Sequence, residues 1–321
     1  MIETLSSLVS LKSVIRMVAC VFLILSACTS SNVVIPSTKP ADAFEPSRSE
    51  QAPDYCQAPI PPASKQPGYQ QVEFVVRANG LPSPALVESD LHIEQNAKEM
   101  PIVYFRQEPV SLGIVLDTSA SMESKIDSMR VLVAELVNRL NPADQLFLIA
   151  FSSRPFILTE FTGLHDRVVE NLSLLRAFGP ANYPEAVQNG KQVLQNGCYQ
   201  DKTLLVIGDD NESLSEADRA EMTSDISKFQ MKLLVVGIGK VNTETLRAVV
   251  GHSSGGLMLI DPGEANARVA GDLIASELHN RYSLGFVTVA ASPVRLELLN
   301  HPFGLIRVES KPADITIMTN N

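Results

Sequence analysis

Positive charge is what this chain of 321 residues is short of: 26 Lys and Arg stand against 36 Asp and Glu, a formal charge of −10. Nucleic-acid binding needs a basic surplus to neutralise phosphates, so no nucleic-acid partner is expected. Cysteine is scarce, four in all, and Cys56 and Cys198 make no zinc pattern. The five histidines, His92, His165, His252, His279 and His301, fall in neither HxxxH nor HExxH spacing. The glycine-rich "VVGIGK" lacks the spacing and the final Ser/Thr of a phosphate-cradling loop. The apolar run "MVACVFLILSAC" (Met17–Cys28) is shorter than the roughly 20 residues a lone spanning helix needs.

What that run does resemble is an export signal. Lys12 and Arg16 form a charged segment before it, and the run is a short apolar core. It closes on Leu25-Ser26-Ala27-Cys28, which resembles the bacterial lipobox; residues 1–27 then form a lipoprotein signal peptide and Cys28 carries the lipid. An ordinary signal peptide with a chance cysteine is the alternative. Two or three acyl chains would anchor firmly, at about 0.8 kcal/mol per buried CH₂. Thr29 follows, and by resemblance to enterobacterial sorting the lack of Asp there implies the periplasmic face of the outer membrane. In that oxidising compartment Cys56 and Cys198 are either a disulfide or two buried thiols.

Residues 28–69 hold eight prolines between Pro36 and Pro67 and little apolar periodicity, the composition of a disordered tether. From residue 70 to 110, "QVEFVVRANG" and "SDLHIEQNAKEMPIVYF" alternate apolar and polar residues and read as three strands of a short antiparallel unit. Residues 111–282 turn to α/β. "LGIVLD", "QLFLIAF", "TLLVIGD" and "KLLVVGIG" are near-continuous apolar runs, the pattern of strands buried on both faces. "PFILTEF" follows its predecessor too closely for a crossover and is expected as an antiparallel edge strand. Between them, "KIDSMRVLVAELVNRL" places Ile126, Met129, Val133, Leu136, Val137 and Leu140 at helical spacing. "FTGLHDRVVENLSLLRAF", "PEAVQNGKQVLQNG", "SEADRAEMTSDISKF", "TETLRAVVG" and "EANARVAGDLIASELHNRY" complete the helices. The fold class expected is α/β, a doubly wound, mostly parallel sheet. Residues 283–321 return to β pattern and are expected to pair with 70–110 in a small sandwich-like module around the α/β domain.

Asp117-Thr118-Ser119-Ala120-Ser121 stands at the end of the first α/β strand, where open sheets bind ligands. It matches the DxSxS motif of von Willebrand factor A domains, and the element order over 111–282 resembles that family. The flanking β segments and the "ELHNRYSLGF" exit resemble a bacterial variant first described in acidobacteria, often secreted or lipidated. The resemblance implies a protein-binding module for adhesion or complex assembly, with no turnover. It also implies a metal-ion-dependent site for Mg²⁺ or another divalent cation, held by Asp117, Ser119 and Ser121 and completed by a partner carboxylate. Mg²⁺ demands near-octahedral oxygen ligands.

Two family ligands are displaced. Ala181 stands at the position of a ligand Thr, within Gly179–Ala186, and Ile207 at that of a second Asp. Asn182 and Asp209 are the substitutes within reach, each a step or two out of register, so the metal site is degenerate. Asp117, Ser119 and Ser121 otherwise serve only to cap the following helix and bond the loop. A metal-independent scaffold lipoprotein is the second reading. A hydrolase is the third, resting on Gly251-His252-Ser253-Ser254-Gly255, a G-x-S-x-G whose helix-to-strand setting inverts that of a nucleophile elbow. In the acidic stretch "GDDNESLSEAD", Ser213 or Ser215 is expected to cap a helix. The partner protein is not identified by the sequence.

Overall fold

The computed structural model describes residue 56 and residues 65–78, 81–82, 85–209, 215–224, 226, 231–251, 253, 255–288, 294–299, 306–307 and 315–319, all within one unit, Gln51–Asn321. Residues 1–27, expected as a signal peptide, Cys28 and most of the proline-rich segment lie outside the described residues. In chain order the elements are β1 (Tyr69–Ala78), β2 (Leu81–Pro82), β3 (Leu91–Gln95), β4 (Lys98–Glu99) and β5 (Ile102–Gln107). Then come β6 (Ser111–Asp117), α1 (Ile126–Asn138), β7 (Gln145–Phe151), β8 (Pro155–Thr162), α2 (His165–Asn171), α3 (Tyr183–Gln195) and β9 (Lys202–Gly208). They are followed by α4 (Glu216–Thr223), β10 (Met231–Ile238), α5 (Thr243–Val250), β11 (Gly256–Ile260) and α6 (Glu264–Leu278), and last by β12 (Arg281–Val287), β13 (Val294–Leu298), β14 (Ile306–Arg307) and β15 (Ile315–Thr319).

The central sheet runs β11-β10-β9-β6-β7-β8. Its strands are parallel except β8, an antiparallel edge strand on β7. This is a doubly wound order whose direction reverses between β6 and β9. Every residue of β6 and β7 is buried, because helices cover both faces. Leu112, Ile114 and Leu116 meet α1 and α6 in one core. Val115 and Phe147 meet α3, α4 and α5 in the other. α1 and α6 approach so closely that a Cβ on Gly271 would lie 2.6 Å from the Leu132 carbonyl oxygen. Burial of this kind is worth about 25 cal/mol per Å² of apolar surface.

Two helices are shorter than their sequence periodicity implies, and a basic side chain from a neighbour accounts for each. α2 ends at Asn171 in a 3-10 turn over Leu172–Leu174, because the Arg130 guanidinium takes the carbonyls of Leu172 and Leu175, at 3.1 and 2.6 Å. α4 ends at Thr223, where the buried Lys191 ammonium donates to the carbonyls of Glu221, Met222 and Ser224. Ser215 caps its other end with Asp218 in a reciprocal capping box.

The flanking strands form two further sheets. β14-β1-β12-β5 make one, with β2 on β1, and β15-β13-β3-β4 the other. Val72, Phe74, Tyr282, Leu284 and Phe286 of the first share a core with Leu91, Ile93, Val294 and Leu296 of the second. The three strands read from residues 70–110 do not adjoin one another; each pairs with a strand from beyond the α/β domain. β12 inserts between β1 and β5, while β3 pairs with β13. Three strands alone would leave an apolar face uncovered, and the strands beyond the α/β domain supply the cover. Cys56 and Cys198 are joined as a disulfide with Cα atoms 5.4 Å apart.

Candidate functional site

β6 and β9 are neighbours at the switch point, and their carboxyl ends deliver two acidic residues to one cleft. Leu116 is level with Ile207, so Asp117 ends β6 on the α3 face while Asp209 emerges beyond β9 on the α1 face. Both are buried, Asp117 fully. Each carboxylate has a partner from the helix start on its own side. The Tyr183 hydroxyl, from the first residue of α3, donates to Asp117 Oδ2 at 2.7 Å. The Lys125 ammonium, from the residue capping α1, donates to Asp209 Oδ2 at 2.5 Å.

Ser119 and Ser121 bridge the two. The Ser119 amide donates to Asp117 Oδ1 at 2.8 Å. The two serine hydroxyls lie 3.0 Å apart, and Ser121 donates to Asp209 Oδ1 at 2.9 Å. Burial pushes the Asp117 carboxyl above the usual range; the Ser119 and Tyr183 donors offset part of this and the nearby Asp209 charge adds to it. Gly208 makes room, since a Cβ there would collide with the Tyr183 hydroxyl and with Asp117.

The rim is held by the backbone. The Thr118 hydroxyl donates to the Phe151 carbonyl at 2.8 Å. The Ala120 amide donates to Gly179 and the Phe178 amide to Thr118, both at 2.8 Å. The loop bearing Phe178, Gly179 and Pro180 is thereby pinned beside the motif, and Phe178 is left 53% exposed.

The structure therefore brings Asp117, Ser119, Ser121 and Asp209 together and leaves Asn182 out. Asn182 caps α3, its carbonyl oxygen accepting from the Glu185 amide and its amide donating to the Glu185 carboxylate. Ile207 is buried in the core under α1, and Asp209, two residues on and so on the same strand face, comes to the cleft instead. Ala181 packs against the opposite core and offers no side-chain oxygen. Sequence reasoning missed Lys125 and Tyr183. The available signal was a lysine four residues past Ser121 and an aromatic residue two past Ala181.

This donor set does not suit a resident divalent cation. One of its carboxylates is neutralised by an ammonium group, both oxygens of the other accept from protein donors, and the third hydroxyl is missing. A divalent ion would have to displace the Lys125 ammonium to reach Asp209. Among the described residues no group of three or more His, Cys, Asp and Glu stands ready to hold a metal.

The geometry defines an open doubly wound α/β domain with a polar cleft at its switch point. Residues 112–212 match the von Willebrand factor type A domain family, and the chain carries a domain of that type. Among solved structures it is similar to the conserved hypothetical protein BatB from Bacteroides thetaiotaomicron, at 16% identity over 53% of this chain and 98% of that one, TM-score 0.46. It is also similar to a von Willebrand factor type A protein from Catenulispora acidiphila, at 11% identity over 78% and 74%, TM-score 0.49. A third is the vWF domain of the type V pili tip protein Mfa5 from Porphyromonas gingivalis, at 10% identity over 54% and 96%, TM-score 0.44. No curated protein sequence matches.

Proposed function

We propose that this protein is a lipid-anchored component of a bacterial cell envelope that holds a protein partner on the carboxyl-end face of its von Willebrand A domain, without turnover. The observation that carries this reading is Phe178, a large aromatic side chain held 53% exposed on a loop bonded to the DxSxS turn. Exposed aromatics on rigid supports are the anchors around which interfaces form. Ala120, Ser121, Gly179 and Pro180 are exposed around it, giving a small apolar patch beside a polar cleft. The lipobox at Cys28 and the proline-rich segment after it support an anchored domain that stands off the membrane. Among the described residues no helix is long and apolar enough to cross one.

The hydrolase reading has no support in the geometry around Ser253. Its hydroxyl donates to the Val250 carbonyl at 3.1 Å and accepts from the Gly255 amide at 3.1 Å. It staples the turn after α5. The metal-independent reading is favoured by the Lys125–Asp209 pair. Membrane pull-down with the full chain tests the proposal: Phe178→Ser should lose the captured partner while melting within about 1 °C of wild type, as exposed substitutions usually do. Unchanged capture by Phe178→Ser would remove this face from consideration.

A further inference from the structure

We propose that Lys125 is the cation of this cleft, an ammonium group built into the chain that takes over the work a divalent ion would do between Asp209 and the serine turn. Three independent features support the assignment. First, the ion pair is enclosed: the side chains of Lys125 and Asp209 are 13% and 2% exposed. Second, the lysine stem is guided to its position. A Cβ on Gly239, which follows β10 with a φ of +79°, would lie 3.3 Å from Lys125 Cε and 3.5 Å from Pro262. The stem thus passes through a gap that a larger residue would narrow. Third, the charge arrives by a continuous chain: Lys125 on Asp209, Asp209 on Ser121, Ser121 against Ser119, and the Ser119 amide on Asp117.

A divalent ion in such a site would have two jobs: to neutralise the carboxylate beyond β9 and to fix the serine turn. Lys125 does the first directly and the second through Asp209. Tyr183 contributes on the other side by donating to Asp117. A bound M²⁺ would sit against the ammonium it must displace, and like charges at that separation repel. The cleft then has no coordination position for a partner carboxylate. Its partner is recognised through the exposed rim, and partner capture is insensitive to chelators. This last consequence rests on the docking proposal above; the lysine assignment itself does not.

The test is Mn²⁺ binding by the full chain, read by electron paramagnetic resonance and by melting temperature, in wild type, Lys125→Met and Lys125→Met/Asp209→Asn. Methionine keeps the unbranched stem and removes the charge. Wild type should bind no Mn²⁺ at this site and melt alike with Mn²⁺ or with chelator. Lys125→Met should melt lower in chelator, bind one Mn²⁺ and recover on its addition. The double variant, with no charge to balance, should lose that response. Should Lys125→Met fail to fold in chelator, its refolding yield with Mn²⁺ is the readout, and rescue supports the assignment. One Mn²⁺ bound by wild type, no Mn²⁺ response in Lys125→Met, or an undiminished response in the double variant overturns it. None of these outcomes depends on finding the partner, so failure here and failure of the docking proposal are distinguishable.

Discussion

Asp144 joins three segments that are far apart in the chain, and removing it should loosen the junction between the α/β domain and the flanking sheets. The residue is 1% exposed. Its Oδ1 accepts from the Val110 amide at 2.9 Å, just before β6. Its Oδ2 accepts from the Asn141 amide at 2.7 Å, after α1, and from His279 Nε2 at 2.6 Å, where α6 gives way to β12. Asp144→Ala leaves the buried Val110 amide without its side-chain acceptor, at about 1–3 kcal/mol. It also leaves the buried His279 Nε2 without its acceptor, at about another 1–3 kcal/mol. Water reaches the half-buried Asn141 and recovers part of the loss there. The expected total is about 4 kcal/mol. For a chain of this size that is roughly 8–16 °C in melting temperature. Urea unfolding followed by circular dichroism measures it, with His279→Ala and the double variant closing a cycle whose coupling should be about 1–3 kcal/mol. A cost for Asp144→Ala within about 0.5 kcal/mol of zero, the range of ordinary surface changes, or a vanishing coupling, would refute the reasoning.

Two further outcomes are expected. β3 and β4 are joined through Asn96 and Ala97 at φ of 54° and 59°, a two-residue turn with both central residues left-handed, so Ala97→Gly should stabilise by about 0.4–1 kcal/mol in urea unfolding. Cys198→Ser opens the bond to Cys56 across a sequence separation of 142 and should cost about 2–4 kcal/mol; intact mass of the wild type with and without reduction, which differ by two hydrogen atoms for a disulfide, reads the bond itself.

The α/β domain was legible because its physics is local. Continuous apolar runs mark strands covered on both sides, and the 3.6-residue spacing in α1 marks a face that meets α6. The pairing of 70–110 with 283–321 could be expected because neither set buries a face alone, but which outer strands share a sheet was not legible: β1 and β5 flank β12 while β3 takes β13, and no local pattern carries that division. The ends of α2 and α4 were hidden for a similar reason: Arg130 and Lys191 reach them from other helices.

The candidate site divides the same way. Asp117, Ser119 and Ser121 could be read from one pentapeptide, since a strand end followed by small hydroxylated residues is a local signal. Asp209 could be named as a substitute two residues from the family position, a shift that strand alternation forgives because it preserves the face. Lys125 and Tyr183 belong to helix starts on opposite sides of the sheet, and only the folded arrangement brings them onto the two carboxylates. The motif alone would suggest a metal-dependent cleft; the residues arriving from α1 and α3 change its chemistry.

The most direct test of the account places a photo-crosslinking residue at Phe178 of the full chain in its native membranes, with a second at Asn196 as the comparison. Asn196 is exposed at the far end of α3, toward the amino end of β6 and so opposite the cleft. The account predicts a discrete protein adduct from position 178, absent from position 196 and undiminished by chelator. No adduct at 178, the same adduct from both positions, or its loss on chelation would contradict it.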